Sequence, residues 1–237
     1  MNADAILAKL RALGSEEQSV NLSRFFKTAP GQYGSGDKFF GVKVPVTRSV
    51  AKTHADISFD DIQRLLDSPW HEARLCGLLI LVIRFQNRKT ADVEREEIFH
   101  FYLKNAQRCN NWDLVDLSAP TVVGGFLLGK NHELLYELAD SNNLWKQRIA
   151  IVSTMTFIRH DDFEDVFALT LRLRSHPHDL IHKALGWMLR EVGKRNKKVL
   201  CDFLSLHATE LPRTTLRYAI ERFSPEERQS YLLMKRS

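Results

Sequence analysis

Cysteine is scarce. The three residues, Cys76, Cys109 and Cys201, are scattered and form no C-x-x-C pair. That excludes a disulfide framework and a cysteine zinc site, and it fits a reducing, cytoplasmic compartment. Long apolar runs are also missing: the longest, Leu78 to Ile83, closes at Arg84 and is too short to span a bilayer. The first residues, Met1 to Gly14, read as an amphipathic helix carrying Lys9 and Arg11, not as a secretory leader. No segment alternates convincingly as a strand does. No G-x-G-x-x-G or G-K-[ST] loop cradles a phosphate, and no G-x-S-x-G supplies a nucleophile.

What remains is helical. Of 237 residues, 44% are hydrophobic and 27% charged, enough for one sizeable core. The net charge of +5 permits a nucleic-acid partner without requiring one. Helix starts are predicted near Ala3, Glu16, Val46, Phe59, His71, Val93, Trp112, Pro120, His132, Leu144, Phe163, Leu180, Lys197, Thr214 and Pro225. Ser15, Ser58, Asp179 and Ser224 stand at cap positions. One stretch, Thr28 to Pro45, is irregular and holds Pro30, Gly31, Gly34, Gly36, Gly41 and Pro45.

Beneath the helices lies a repeat. H-E-A-R-L-C-G-L-L-I-L from His71, K-Q-R-I-A-I-V-S-T-M from Lys146 and I-H-K-A-L-G-W-M-L-R from Ile181 are alike. Aligning them marks Arg74, Arg148 and Lys183, with Trp112 between the first two and Arg217 following, at intervals of 34 to 38 residues. Such a period, with two helices per unit, predicts an all-α, HEAT-like repeat solenoid, curved and C-shaped, as a single domain over 1–237. Equivalent positions then fall on equivalent helices, so these five residues are expected to form one stripe, basic with an aromatic in the middle. The plainer alternative is a shared solvated charge.

The segment from Leu180 to Lys194 has two faces. Ile181, Ala184, Leu185, Met188 and Val192 take core spacing, while Lys183, Trp187, Arg190 and Lys194 share another side. Between Leu171 and Leu200, eight basic residues face only Asp179 and Glu191. An aromatic among cations suits a nucleic acid, with cations on phosphates and the ring on sugar or base; packing of Trp187 on a neighbouring helix is the alternative. Arg148 lies among apolar neighbours and must either lie at the rim or find an anion, a structural carboxylate or a phosphate. Trp112 and Asp116, four apart, point to one side of a helix. Asp113 fits a helix-start charge better than Asp116 does. His178 and His182, with His176 just before, have a zinc-like spacing but no acidic third ligand, so no metal is expected. His160 beside Asp161 and Asp162 reads as a loop cluster.

N-W-D-L-V-D (Asn111 to Asp116), L-W-K-Q-R-I-A-I (Leu144 to Ile151) and K-A-L-G-W-M-L-R-E (Lys183 to Glu191) resemble the signature segments of AlkD-type DNA alkylation-repair glycosylases. S-R-F-F-K (Ser23 to Lys27) and F-F-G-V-K-V-P (Phe39 to Pro45) resemble the family's N-terminal pattern, whereas Thr28 to Lys38 departs from it. The resemblance implies a stack of HEAT-like repeats that cradles double-stranded DNA. It implies hydrolysis of the N-glycosidic bond of cationic purines, N3-methyladenine and N7-methylguanine, without metal or organic cofactor. It makes Asp116 the catalytic carboxylate, Trp112 and Trp187 the aromatic contacts to the damaged nucleotide, and Arg148 the grip on its backbone. Arg74, Lys183, Arg190, Lys194 and Arg217 are the further expected DNA contacts. A monomer in the cytoplasm, at the nucleoid, is expected. A non-catalytic nucleic-acid binder or an interaction scaffold is the alternative, and neither needs Asp116.

Overall fold

The computed structural model describes residues 2–234. The chain is all-helical, and among the described residues the one bridge of β type is an isolated pairing of Lys38 with Trp70. The helices are α1 (Ala3–Ala12), α2 (Glu16–Phe25), α3 (Val44–Thr53), α4 (Phe59–Leu66), α5 (His71–Gln86), α6 (Asp92–Lys104), α7 (Trp112–Asp116), α8 (Gly125–Leu127), α9 (Glu133–Asp140), α10 (Leu144–Arg159), α11 (Glu164–Leu173), α12 (Asp179–Arg195), α13 (Lys197–His207), α14 (Arg213–Ala219) and α15 (Pro225–Leu233). A 3-10 turn, Ala106–Arg108, precedes α7, and a π-turn, Pro120–Gly124, follows it. None of the described helices is long and apolar enough to cross a membrane.

Local chemistry explains most of the starts. Ser15, Ser58 and Ser224 each accept an amide N–H from their helix, and Ser224 completes a capping box with Glu227. Two expectations need correction. Asp179 is the first residue of α12, not its cap; the cap is His178, whose ring nitrogen accepts from Leu180 N–H. The third helix begins at Val44, because Pro45 fits the first turn, where its missing N–H costs nothing.

Contacts divide the chain into two compact units, residues 1–122 and 123–237. The first is built around α5, which packs against α3, α4, α6 and α7. Its residues from His71 to Val82 are buried on every side, as befits a helix surrounded by others. One buried side chain of α5 holds the end of the irregular stretch. The Glu72 carboxylate accepts the backbone N–H groups of Phe40 (3.0 Å), Gly41 (2.9 Å) and Val42 (3.0 Å). These amides have no helix or sheet of their own, so the carboxylate stands in for secondary structure. Gly41 takes φ +85° and lies so close to the Ser15 carbonyl that a side chain has no room.

In the second unit α10 and α12 form the core, with α9 and α11 against them and α13 and α14 on α12. Ile181, Ala184, Leu185, Met188 and Val192 are fully buried, as their spacing predicted. At Gly186 the α12 and α14 backbones approach closely. A Cβ there would stand 2.6 Å from the Thr215 carbonyl oxygen. The five repeat positions fall on α5, α7, α10, α12 and α14.

Candidate functional site

In the first unit the site residues stand on α7, a helix of only five residues. Asp113, Leu114 and Val115 are buried, while Trp112 and Asp116 are half-exposed. The i, i+4 spacing therefore places an indole and a carboxylate on the open side of one turn. So short a helix needs outside support. Asn111 caps it, accepting from Trp112 N–H at 2.9 Å. At its far end Ser118 bonds the Leu114 carbonyl and meets the Tyr102 hydroxyl at 2.9 Å.

The largest support is a buried chain of charges. Asp113 Oδ2 lies 2.8 Å from Nε2 of His71 on α5, and His71 Nδ1 lies 3.2 Å from Asp37 Oδ2. Asp37 Oδ1 then accepts from Arg74 at 2.7 Å and from Asn110 at 3.1 Å. The side chains of Asp37, His71, Arg74 and Asp113 are each 6% exposed or less. Burial alone would pull the His71 pKa down. The Asp113 charge and the bonds to Asp113 and Asp37 outweigh it and raise the value to about 9. Burial likewise pushes Asp37 up, but its bond to His71 and the Arg74 charge leave it below the usual carboxylate value.

The same histidine belongs to an aromatic stack. Its ring lies over Phe39 (4.6 Å between centroids) and against Phe26 (4.9 Å). Phe26 stacks in turn on Trp112 at 5.2 Å. Phe25 meets Trp112 edge-on at 5.7 Å and is 60% exposed, so an uncovered aromatic stands beside the half-exposed indole.

In the second unit Arg148 on α10 is only 5% exposed, and its Nη1 donates to the Leu180 carbonyl at 2.6 Å. The sequence left open a carboxylate or a phosphate; a backbone carbonyl in the first turn of α12 answers part of that need. On α12, Trp187 is half-exposed and its indole N–H donates to Glu191 at 3.1 Å. Lys194 bonds the same Glu191 oxygen at 2.7 Å, Lys183 pairs with Asp179 at 2.8 Å, and Arg190 pairs with Glu221, in the turn just after α14. The expected cationic face is present, but it is laced with acids. Exposed pairs of this kind are worth about 0–1 kcal/mol, little enough for a phosphate to displace. Arg217 is exposed.

Several expectations change. Arg74 is not a surface phosphate contact: 4% exposed, it is consumed by Asp37 and by the Ser68 carbonyl at 2.8 Å. With Arg74 and Arg148 buried, the five repeat positions do not share one solvated charge stripe. Asp113 serves more than a helix-start charge; one oxygen bonds Leu114 N–H and the other holds His71. His71, Asp37, Phe25 and Phe26 were not singled out from the sequence, although H-E-A-R and S-R-F-F-K contain three of them.

His176 and His178 use Nδ1 to accept backbone N–H groups, and burial lowers both pKa values. The group among the described residues whose spacing would suit a cation is instead His132, Asp162 and Asp165. There His132 Nδ1 bonds Asp165 at 2.6 Å, its Nε2 meets the Leu127 carbonyl, and Tyr136 donates to the other Asp165 oxygen. His132 and Asp165 are thus already engaged by protein partners. Burial pushes the Cys76 and Cys109 thiols up to about 12, which suits packing and not nucleophilic chemistry.

Over residues 6–223 the chain matches the sequence model of a family described as DNA alkylation repair enzyme. Among solved structures it is similar to a protein described as a predicted DNA alkylation repair enzyme from Enterococcus faecalis. The TM-score is 0.69 at 16% identity, over 90% of this chain and 97% of that one. No curated protein matches the sequence.

Proposed function

This chain belongs to the DNA alkylation repair enzyme family, and from that membership we propose that it is a DNA glycosylase acting on cationic alkylated purines, N3-methyladenine and N7-methylguanine, in double-stranded DNA. In this reading residues 1–237 work as one domain. The observation that carries it is the pairing of Asp116 with Trp112, both half-exposed on one turn of α7 while the residues between them are buried.

The chemistry suits a single carboxylate. Alkylation at N3 or N7 makes the purine a cation and hence a good leaving group, so no strong general acid, metal or organic cofactor is needed. The barrier lies in the positive charge that develops on deoxyribose as the glycosidic bond breaks. A fixed carboxylate opposes that charge and orients the attacking water. The indole faces of Trp112 and Trp187 favour a nearby cation through their quadrupoles. Lys183, Arg190, Lys194 and Arg217 meet phosphates, and Arg148, only 5% exposed, grips the backbone at the lesion by giving up its bond to the Leu180 carbonyl. Arg148→Lys tests the grip, because lysine keeps the charge and loses the planar fork.

The deciding experiment is incubation with methylated duplex DNA and chromatography of the freed bases. The wild type is expected to release 7-methylguanine. Asp116→Asn should bind DNA as before and release base roughly a hundredfold more slowly, the usual cost of one such electrostatic group. Release at the wild-type rate by Asp116→Asn would remove Asp116 from the chemistry; no release by the wild type would leave a non-catalytic binder.

A further inference from the structure

We propose that His71 is a positioning residue: by bridging Asp113 and Asp37 beneath the Phe39–Phe26–Trp112 stack, it sets the rotation of α7 and so holds Trp112 and Asp116 in their working orientation. The inference deepens the glycosylase reading and rests on it for its catalytic consequence.

Three observations converge on this one side chain. First, α7 is too short to hold its own orientation, and its neighbour α5 reaches it through the 2.8 Å contact of His71 with Asp113. Second, the His71 ring is packed against Phe26 and Phe39, and Phe26 carries Trp112. The residue that holds the helix by its carboxylate thus also supports the platform under its indole. Third, the other ring nitrogen binds Asp37, which lies in the irregular stretch between α2 and α3. Loop, stack and helix therefore meet at one imidazole.

The charges decide which form of His71 does this. The facing groups are Asp37 from the loop, Asp113 from α7 and Arg74 from α5 itself. Two carboxylates and one guanidinium sum to one negative charge, so only the imidazolium makes the buried group neutral. A neutral ring also has a single N–H and cannot donate at both ends. With the folded pKa raised to about 9 from an ordinary 6.5, the stability the bridge contributes is fully present below about pH 6.5, while the bridge itself persists until the imidazolium loses its proton. It is lost as pH rises through about 9.

A helix turned by one residue moves its side chains by about 100°, and a displacement near 1 Å can cost about a hundredfold in rate. The test compares the full chain with His71→Gln, which is uncharged. Two signals are followed from pH 6 to 10. One is single-turnover release of 7-methylguanine from methylated duplex. The other is acrylamide quenching of Trp112, taken as the difference between each protein and its Trp112→Phe partner. Binding of unmodified duplex is the control.

The expected result is a wild-type quenching change with midpoint near pH 9 that is absent in His71→Gln. Release by folded His71→Gln should fall about tenfold or more, with duplex affinity within threefold. Wild-type release and quenching in folded His71→Gln would overturn the inference. If that variant does not fold, the wild-type titration and Asp37→Asn decide, and a Trp112 signal flat across pH 9 in the wild type and unmoved by Asp37→Asn overturns it. The two readings fail separately. A wild type that frees no base, yet whose Trp112 signal follows His71, refutes the glycosylase and leaves the positioning role standing.

Discussion

Replacing Glu72 by glutamine changes one oxygen to an amide nitrogen, and the structure says what that does. Glu72 Oε1 receives Gly41 and Val42 N–H at 2.9 and 3.0 Å, and Oε2 receives Phe40 N–H at 3.0 Å. Glutamine can keep Oε1 in place, but its NH2 then faces the Phe40 donor. One bond is lost, a buried N–H is left unpaired, and the other two bonds lose their charge assistance. An unsatisfied buried donor costs about 1–3 kcal/mol, and bonds to charged groups exceed neutral ones by roughly 1 kcal/mol. The expected destabilisation is about 3–5 kcal/mol, one unpaired donor and two weakened bonds together. For a chain of this length each kcal/mol moves Tm by about 2–4 °C, so Glu72→Gln should melt roughly 6–20 °C below the wild type. Glu72→Ala, which abandons all three donors, should fall further. Thermal melts followed by circular dichroism measure both. A Glu72→Gln chain melting within 1 °C of the wild type would refute the view that this carboxylate replaces secondary structure for the loop.

Gly186→Ala should destabilise by about 1–3 kcal/mol in urea titration, because its Cβ meets the Thr215 carbonyl backbone, which cannot swing aside. Affinity for unmodified duplex should fall steeply with salt. Lys183→Ala, Lys194→Ala and Arg217→Ala should each flatten the log–log slope by roughly 1, as lost phosphate contacts do, when binding is followed by anisotropy from 50 to 300 mM salt. Arg74→Ala should behave differently and lower the melting temperature with no specific change in that slope, because its guanidinium is buried against Asp37.

How much of this was legible in the residues follows from the range of each interaction. The helix starts were, because caps and 3.6-residue periodicity act within a few positions; Ser15, Ser58 and Ser224 show it. The amphipathic division of α12 was too, since its core face is fixed by spacing alone. His178 hid its role because an imidazole is an uncommon cap and Asp179 offered a commoner one. Glu191 lay in plain sight inside a basic window, yet nothing local shows that its carboxylate would receive the Trp187 indole.

The sequence by itself determined that the chain is helical, where its turns fall, and which family its ordered motifs resemble. The tertiary structure alone decided which charges are spent inside. His71 meets Asp37 across 34 residues and Asp113 across 42, and no periodicity reports such meetings. Arg74, Arg148 and Lys183 occupy equivalent repeat positions, yet two are buried and one is half-exposed. A repeat fixes where a side chain leaves its helix; what that side chain then finds depends on segments folded against it from elsewhere in the chain.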